Sequence, residues 1–390
     1  MNKNTGHESA AASASSKLLL AARGFTFVRV LGFVDGAVWG ESLSTTSPMG
    51  NRKATMSPLQ SISTADPSMW SFGVSGEVES IPPDFRARTI MRLSLRGLNA
   101  AVDGWGSTLR AAYNTSKKTD EDLFATTLSV FTDNGAATLG LGWPSQAPPP
   151  PGNYRQLNWS AVNLTVLNNV LADVRGTGVA PRGLQWDAWW YPTDYSNKTE
   201  FLCGIDWTLP PEHYSGGLGP AFQKLGVPFM LYLPAVCPGP SQWQGRYSFQ
   251  PKEASVGFQL PDPTDAFRFF SDLFAYGQGQ CDPKDHGQTL WPGVSVPPMV
   301  RAGWSGGSGG GTVAAYETDF FWNMIMETPE LRSKLGATER LIRGMAEAAL
   351  EHNMTVQICA GEMPDFLVSL TMPSITQGRG SIDYVCNEMV

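Results

Sequence analysis

The sequence predicts an α/β protein built on a parallel (β/α) barrel of the TIM type. Two observations carry that reading. From about residue 124 onward, short apolar strand-like runs alternate with segments of helical period, the rhythm of βαβ units. Several of those runs end in an acid beside aromatics, as in Trp186-Asp187-Ala188-Trp189 and Glu317-Thr318-Asp319-Phe320. The C-terminal strand ends of such a barrel are where its active site sits.

Taken in order, residues 1–20 are polar and Ala/Ser-rich and read as a disordered tail. Residues 21–120 read as a β-rich region plus a connecting helix. Its strand-like runs are Phe25–Val30, Gly36–Trp39, Trp70–Val78 and Ile90–Leu95, punctuated by Gly, Pro and Ser. Leu98, Val102, Trp105, Leu109 and Ala112 recur at helical spacing and predict a helix over Leu98–Tyr113, followed by a polar linker from Asn114 to Glu121.

Residues 121–390 hold the barrel. Phe124–Thr132 reads as its first strand, ending at Asp133-Asn134-Gly135, with a helix from about Ser160 to Arg175. The next strand ends at Trp186-Asp187, and a helix containing Phe222–Leu225 leads to the strand that starts at Phe229. Pro263 to Tyr276 is helical, with Phe267, Phe270, Leu273 and Phe274 on one face. Val300 to Gly311 is a Gly/Ser insert without a phosphate-binding pattern. The strand ending at Asp319 follows it. Ala337 to His352 is a helix with Leu341, Ile342, Met345, Ala349 and Leu350 inward; Thr355–Ala360 is a strand, and Ser381–Cys386 begins a sixth. A closed barrel has eight strands, so this one reads as C-terminally incomplete, truncated after the sixth.

Composition narrows the function classes. A net charge of -7, with no basic stripe, argues against nucleic-acid binding. No apolar run is long enough to span a bilayer, Lys17–Gly32 being broken by Arg23 and Arg29. The five Cys and four His show no metal-ligand spacing, so neither a metal nor another cofactor is expected, and Cys359 and Cys386 read as small core residues. Asn114, Asn158, Asn163, Asn197 and Asn353 head N-glycosylation sequons, which points to a secretory route, yet the N-terminus lacks a clean signal peptide. Localisation and oligomeric state stay open.

The candidate site is a set of acids and aromatics at strand ends. Residues two apart on a strand share a face, so Glu317 and Asp319 point the same way. Asp133, Asp187, Asp319 and Asp383 all fall at predicted strand ends. Trp186, Trp189, Trp190 and Trp322 could offer flat apolar faces to sugar rings or could pack the core, and the sequence leaves both open. An Asp after a strand also commonly caps the next helix.

The order of these motifs resembles the catalytic barrel of the α-galactosidase and raffinose-synthase clan of glycoside hydrolases, families 27 and 36 and more distantly 31. The carriers are Trp186-Asp187-Ala188-Trp189 in place of the clan's Asp-Asp-Gly-Trp, Glu317-Thr318-Asp319 in place of its Lys-x-Asp, and Arg379-Gly-Ser-Ile-Asp383 in its Arg-x-x-x-Asp form. Thr132-Asp133-Asn134-Gly135 and Trp189-Trp190-Tyr191 resemble eukaryotic members of the clan without an assigned substrate. The resemblance implies a retaining hydrolase or transglycosylase of α-linked sugars, with Asp319 as nucleophile and Asp383 as acid/base. It implies substrate contacts from Asp133, Asp187, Glu317 and Arg379, and it implies that the β-rich residues 25–95 are part of the β-sandwich that precedes the barrel in family 36. This chain departs from the clan at Glu317, where the clan has Lys, and at Trp186, where it has Asp. Those departures fit the alternative, an inactive carbohydrate-binding protein or scaffold on the same barrel.

Overall fold

Apolar runs too short for helices and separated by amphipathic segments can bury themselves only by pairing side by side beneath those segments. The computed structural model shows that outcome. It describes residues 32–33, 78–81, 83, 89–90, 94–116, 118–132, 162–191, 203–204, 218–237, 245–251, 257–277, 313–359 and 368–379. Within residues 21–95 one antiparallel pairing is described, β1 (Gly32–Phe33) with β2 (Thr89–Ile90). The central element is a six-stranded, all-parallel sheet, curled into half of a barrel and flanked by helices. Its strands are β3 (Val130–Phe131), β4 (Leu184–Trp186), β5 (Phe229–Tyr232), β8 (Val313–Thr318), β9 (Thr355–Ile358) and β10 (Ile375–Gly378), paired in that order. A small antiparallel pair, β6 (Phe249–Gln250) with β7 (Leu260–Pro261), lies between β5 and β8 in the chain.

Among the described residues the α-helices are α1 (Leu98–Tyr113), α2 (Leu123–Thr126), α3 (Leu164–Gly176), α4 (Leu218–Leu225), α5 (Ala266–Gly277), α6 (Phe321–Met326), α7 (Pro329–Ser333) and α8 (Ala337–Glu351). On the convex side, Leu184, Trp186, Phe229, Leu231, Tyr316, Val356 and Ile358 meet Leu167, Leu171, Ala221, Phe270, Phe274, Ile342 and Met345 in one apolar core. Helices α5 and α8 approach closely enough that a Cβ on Gly344 would lie 2.6 Å from the backbone nitrogen of Phe267. Gly344→Ala is therefore expected to cost about 1–3 kcal/mol of stability, read as a lower denaturation midpoint at unchanged m-value.

The concave side is filled differently. Lateral register aligns Phe131, Gln185, Met230, Ala315 and Thr355 in one row, and Tyr232, Glu317, Gln357 and Gln377 in the next, nearer the C-terminal ends. The lower row is closed by Phe124, which packs on Met230 and Ala315 and meets Phe131 edge-on at 6.2 Å. Gly183 has no side chain because a Cβ there would lie 2.8 Å from the Phe124 ring. Asp122 holds this plug in place. One carboxylate oxygen accepts from the backbone N–H of Phe124 (2.8 Å) and Ala125 (3.3 Å), capping α2. The other accepts from Thr376 Oγ1 and Gln377 Nε2 on β10, so the segment before β3 reaches the opposite edge strand.

Several sequence expectations are corrected. The predicted strand Phe124–Thr132 is helix α2 followed by the short β3, because the Asp122 cap and the burial of Phe124 inside the curl favour a helical turn. The sixth strand is Ile375–Gly378, ahead of the predicted Ser381–Cys386, which lies outside the described residues. Helix faces differ at individual positions, while Trp105, Leu109, Phe270, Leu273, Phe274, Leu341, Ile342, Met345 and Ala349 are buried as expected. Ala101, Trp105 and Leu109 are buried in α1 while Val102 is exposed; Phe269 replaces Phe267 in the α5 face; and Leu350 of α8 is exposed.

Candidate functional site

Polar side chains gather at the C-terminal ends of the parallel strands, on the concave side. Asp187 follows β4, Asp319 follows β8, and Cys359 and Arg379 follow β9 and β10. Glu317 comes from the upper row of β8, with Tyr232 and Gln357 beside it in register on β5 and β9. Asp187, Glu317 and Asp319 are all buried, and Arg379 is partly exposed.

Gln185 organises the group. Its Oε1 accepts from the backbone N–H of Thr132 at 3.0 Å, which fixes the amide orientation because a backbone N–H can only donate. Both hydrogens of its Nε2 then reach carboxyls, Asp187 Oδ2 at 2.9 Å and Glu317 Oε2 at 2.8 Å. The second oxygen of Glu317 accepts from Gln357 Nε2 at 3.3 Å. Asp187 Oδ1 accepts from the Ala188 N–H at 2.7 Å.

Asp319 has a different shell. Tyr232 donates its hydroxyl to Oδ2 at 3.2 Å, the Phe320 N–H donates to Oδ1 at 2.7 Å, and Arg379 Nη2 lies 3.9 Å from Oδ1. Phe320 adopts a positive φ of 50°, a left-handed turn that takes the chain from β8 into α6 just after the acid. Electrostatics follow the crowding. Burial, then the charge of Asp187, pushes the Glu317 carboxyl up to about 8. Burial, then Asp319, raises the Tyr232 phenol, and burial, then Asp319 and Glu317, raises the Cys359 thiol, so both keep their protons at neutral pH.

Among the residues singled out from sequence, Asp187, Glu317, Asp319 and Arg379 come together. Asp133 and Asp383 lie outside the described residues, as does the Trp322 side chain. The remaining tryptophans are packing residues. Trp186 is 0% exposed, on the convex face opposite Gln185, with Phe229 at 4.5 Å and Trp189 at 5.2 Å between ring centroids. Trp190 is likewise 0% exposed and donates its Nε1 to the Tyr232 carbonyl at 2.9 Å. Trp189 is 4% exposed and donates to Thr132 Oγ1 at 2.9 Å. Strand alternation explains Trp186: one step from Gln185 turns the side chain to the other face. These rings offer no open face to a sugar in this structure.

Gln185, Tyr232, Gln357 and Cys359 were not singled out from sequence as site residues. Period-two alternation from Glu317, combined with lateral register across parallel strands, is the signal that finds them. Among the described residues no cluster of His, Cys, Asp and Glu has the arrangement of a metal site.

No family model matches the chain, and no curated protein matches it. A similar solved structure is a xylosidase from Aspergillus niger, at 11% identity and a TM-score of 0.31. The match covers 55% of this chain and 31% of that one, so the chain spans about a third of its length. The chain is thus weakly similar to a glycoside hydrolase, at a level that carries no argument about chemistry.

Proposed function

We propose that this chain is a retaining glycoside hydrolase or transglycosylase acting on α-linked sugars, with Asp319 as nucleophile. The observation that carries the reading is the setting of Asp319. It is a buried carboxyl at the C-terminal mouth of a parallel sheet, oriented by the Tyr232 hydroxyl and the Phe320 N–H, with Arg379 alongside. A carboxylate held this way is prepared to attack an anomeric carbon. Arg379 stands four residues before Asp383, the acid/base of the proposal. Protonating the leaving oxygen and later deprotonating water would fall to Asp383. Asp187, braced by Gln185 and the Ala188 N–H, is suited to accept from sugar hydroxyls.

The test is the anomeric configuration of the first-formed product, followed by proton NMR on a panel of α-glycosides. Retention is the expected result. Inversion would contradict the retaining assignment. Saccharide binding by calorimetry without turnover of any α-glycoside would favour the inactive carbohydrate-binding alternative.

The same reading extends to a secretory, glycosylated protein. The Cys203–Cys237 disulfide is a feature of oxidising compartments. Asn114 and Asn353 are exposed, in left-handed turns after α1 and α8. Peptide mapping after enzymatic deglycosylation of protein from a eukaryotic source is expected to find both converted to Asp; unmodified Asn at both would refute glycosylation there.

A further inference from the structure

We propose that Glu317 is a positioning residue that stands in the resting protein as a neutral carboxylic acid, donating its proton as a hydrogen bond to Gln357. The starting observation is an imbalance of donors and acceptors. Asp187, Glu317 and Asp319 bring three carboxyls to one buried site, and the cation described beside them, Arg379, touches Asp319 and not Glu317. Gln185 has already spent both amide hydrogens, one on Asp187 and one on Glu317. Meanwhile Gln357 Oε1 is buried without a hydrogen-bond partner, on a side chain only 9% exposed.

One proton removes the uncompensated charge and gives Gln357 Oε1 a donor. Gln357 reaches Glu317 Oε1 through its amide, at 3.3 Å, longer than the 2.8 Å contact from Gln185. The oxygen and nitrogen of an amide are assigned from the surrounding hydrogen bonds rather than seen. With a hydrogen on Glu317 Oε1 and the Gln357 amide turned over, the carboxylic O–H donates to Gln357 Oε1. The Nε2 then takes the buried place that Oε1 held. A buried charge without a counter-ion is costly, and the neutral form removes it.

The groups facing Glu317 agree. Asp187 comes from the end of β4, Tyr232 from β5, Asp319 from its own strand end, Cys359 from β9 and Arg379 from β10. The phenol and thiol hold their protons, two of the neighbours are carboxyls, and the guanidinium is engaged with Asp319. The carboxyl is accordingly held at about 8 against an ordinary 4.5. A neutral Glu317 keeps a third negative charge away from Asp319, leaving the nucleophile free to approach an electron-poor carbon.

The effect on turnover rests on the glycoside-hydrolase reading; the protonation state does not. Infrared difference spectra therefore provide the test, on the full chain. Wild-type protein at pH 7 is expected to show the carbonyl stretch of a neutral carboxyl, lost as pH rises through about 8 and absent from E317Q. Stability gives a second readout. The folded-state value lies above the unfolded one, so the contribution is fully present below about 4.5 and disappears as pH rises through about 8. The wild-type Tm should fall across that window more steeply than that of E317Q. If the enzyme turns over, kcat/KM should fall about tenfold per pH unit above that limb, and the E317Q profile should lack the limb. No neutral-carboxyl band at pH 7, or a band that persists in E317Q, overturns the proposal. Because the band needs neither substrate nor turnover, its absence is distinguishable from failure of the enzymatic reading.

Discussion

Asp319→Ala is expected to lower turnover of α-glycosides by about 10⁴-fold or more, because the covalent glycosyl intermediate cannot form without the attacking carboxylate. The substitution also leaves a small space where the carboxyl stood, between Tyr232 and Arg379. Azide at high concentration can enter such a space and attack the anomeric carbon from the same side. The product expected from an α-glycoside with a good leaving group is then the β-glycosyl azide. Restoration of rate with that stereochemistry would identify the side chain as the nucleophile and not merely a binding group. A variant that keeps more than about a tenth of wild-type activity would contradict the assignment, since losing a nucleophile is far costlier than that.

Trp186→Ala is expected to destabilise the protein by about 3–5 kcal/mol, the range for removing a large buried aromatic. Trp186 is fully buried against Phe229 and Trp189, beneath the helices on the convex face. Chemical denaturation of the variant should show a midpoint lowered accordingly, with saccharide affinity of the surviving folded protein little changed. If stability moved by less than about 1 kcal/mol while affinity collapsed, the ring would belong to the binding surface, and the packing described for the convex face would have to be abandoned.

The contrast between those two residues shows what could be read in advance. The grouping of Asp187, Glu317 and Asp319 was legible because Asp at the end of an apolar strand stands out, and because Glu317 and Asp319 share strand parity. Helix α1 was legible over Leu98–Tyr113 from its period alone, with Trp105 and Leu109 buried as read, although Ala101 is buried there and Val102 is exposed. Strand β10 was hidden because Thr376 and Gln377 bond the buried Asp122 instead of filling an apolar layer, so Ile375-Thr-Gln-Gly lacks the expected pattern. The more apolar Ser381–Cys386 took its place in the reading. Gln185 and Gln357 were hidden for a related reason. A glutamine inside a strand has no motif, and its partners are set by the lateral register of strands far apart in sequence. Trp186 misled in the other direction, since a tryptophan beside an acid suggests a sugar platform until alternation assigns it to the opposite face.

The central claim is that Asp319 forms a bond to sugar during turnover, and trapping that bond tests it most directly. Full-length protein incubated with a slowly released, fluorinated α-glycosyl fluoride should gain the mass of one glycosyl group. Peptide mapping should place that group on the Asp319 side chain, with none formed in Asp319→Ala. An adduct carried instead by Glu317, or steady turnover with retention and no adduct at either residue, would contradict the account.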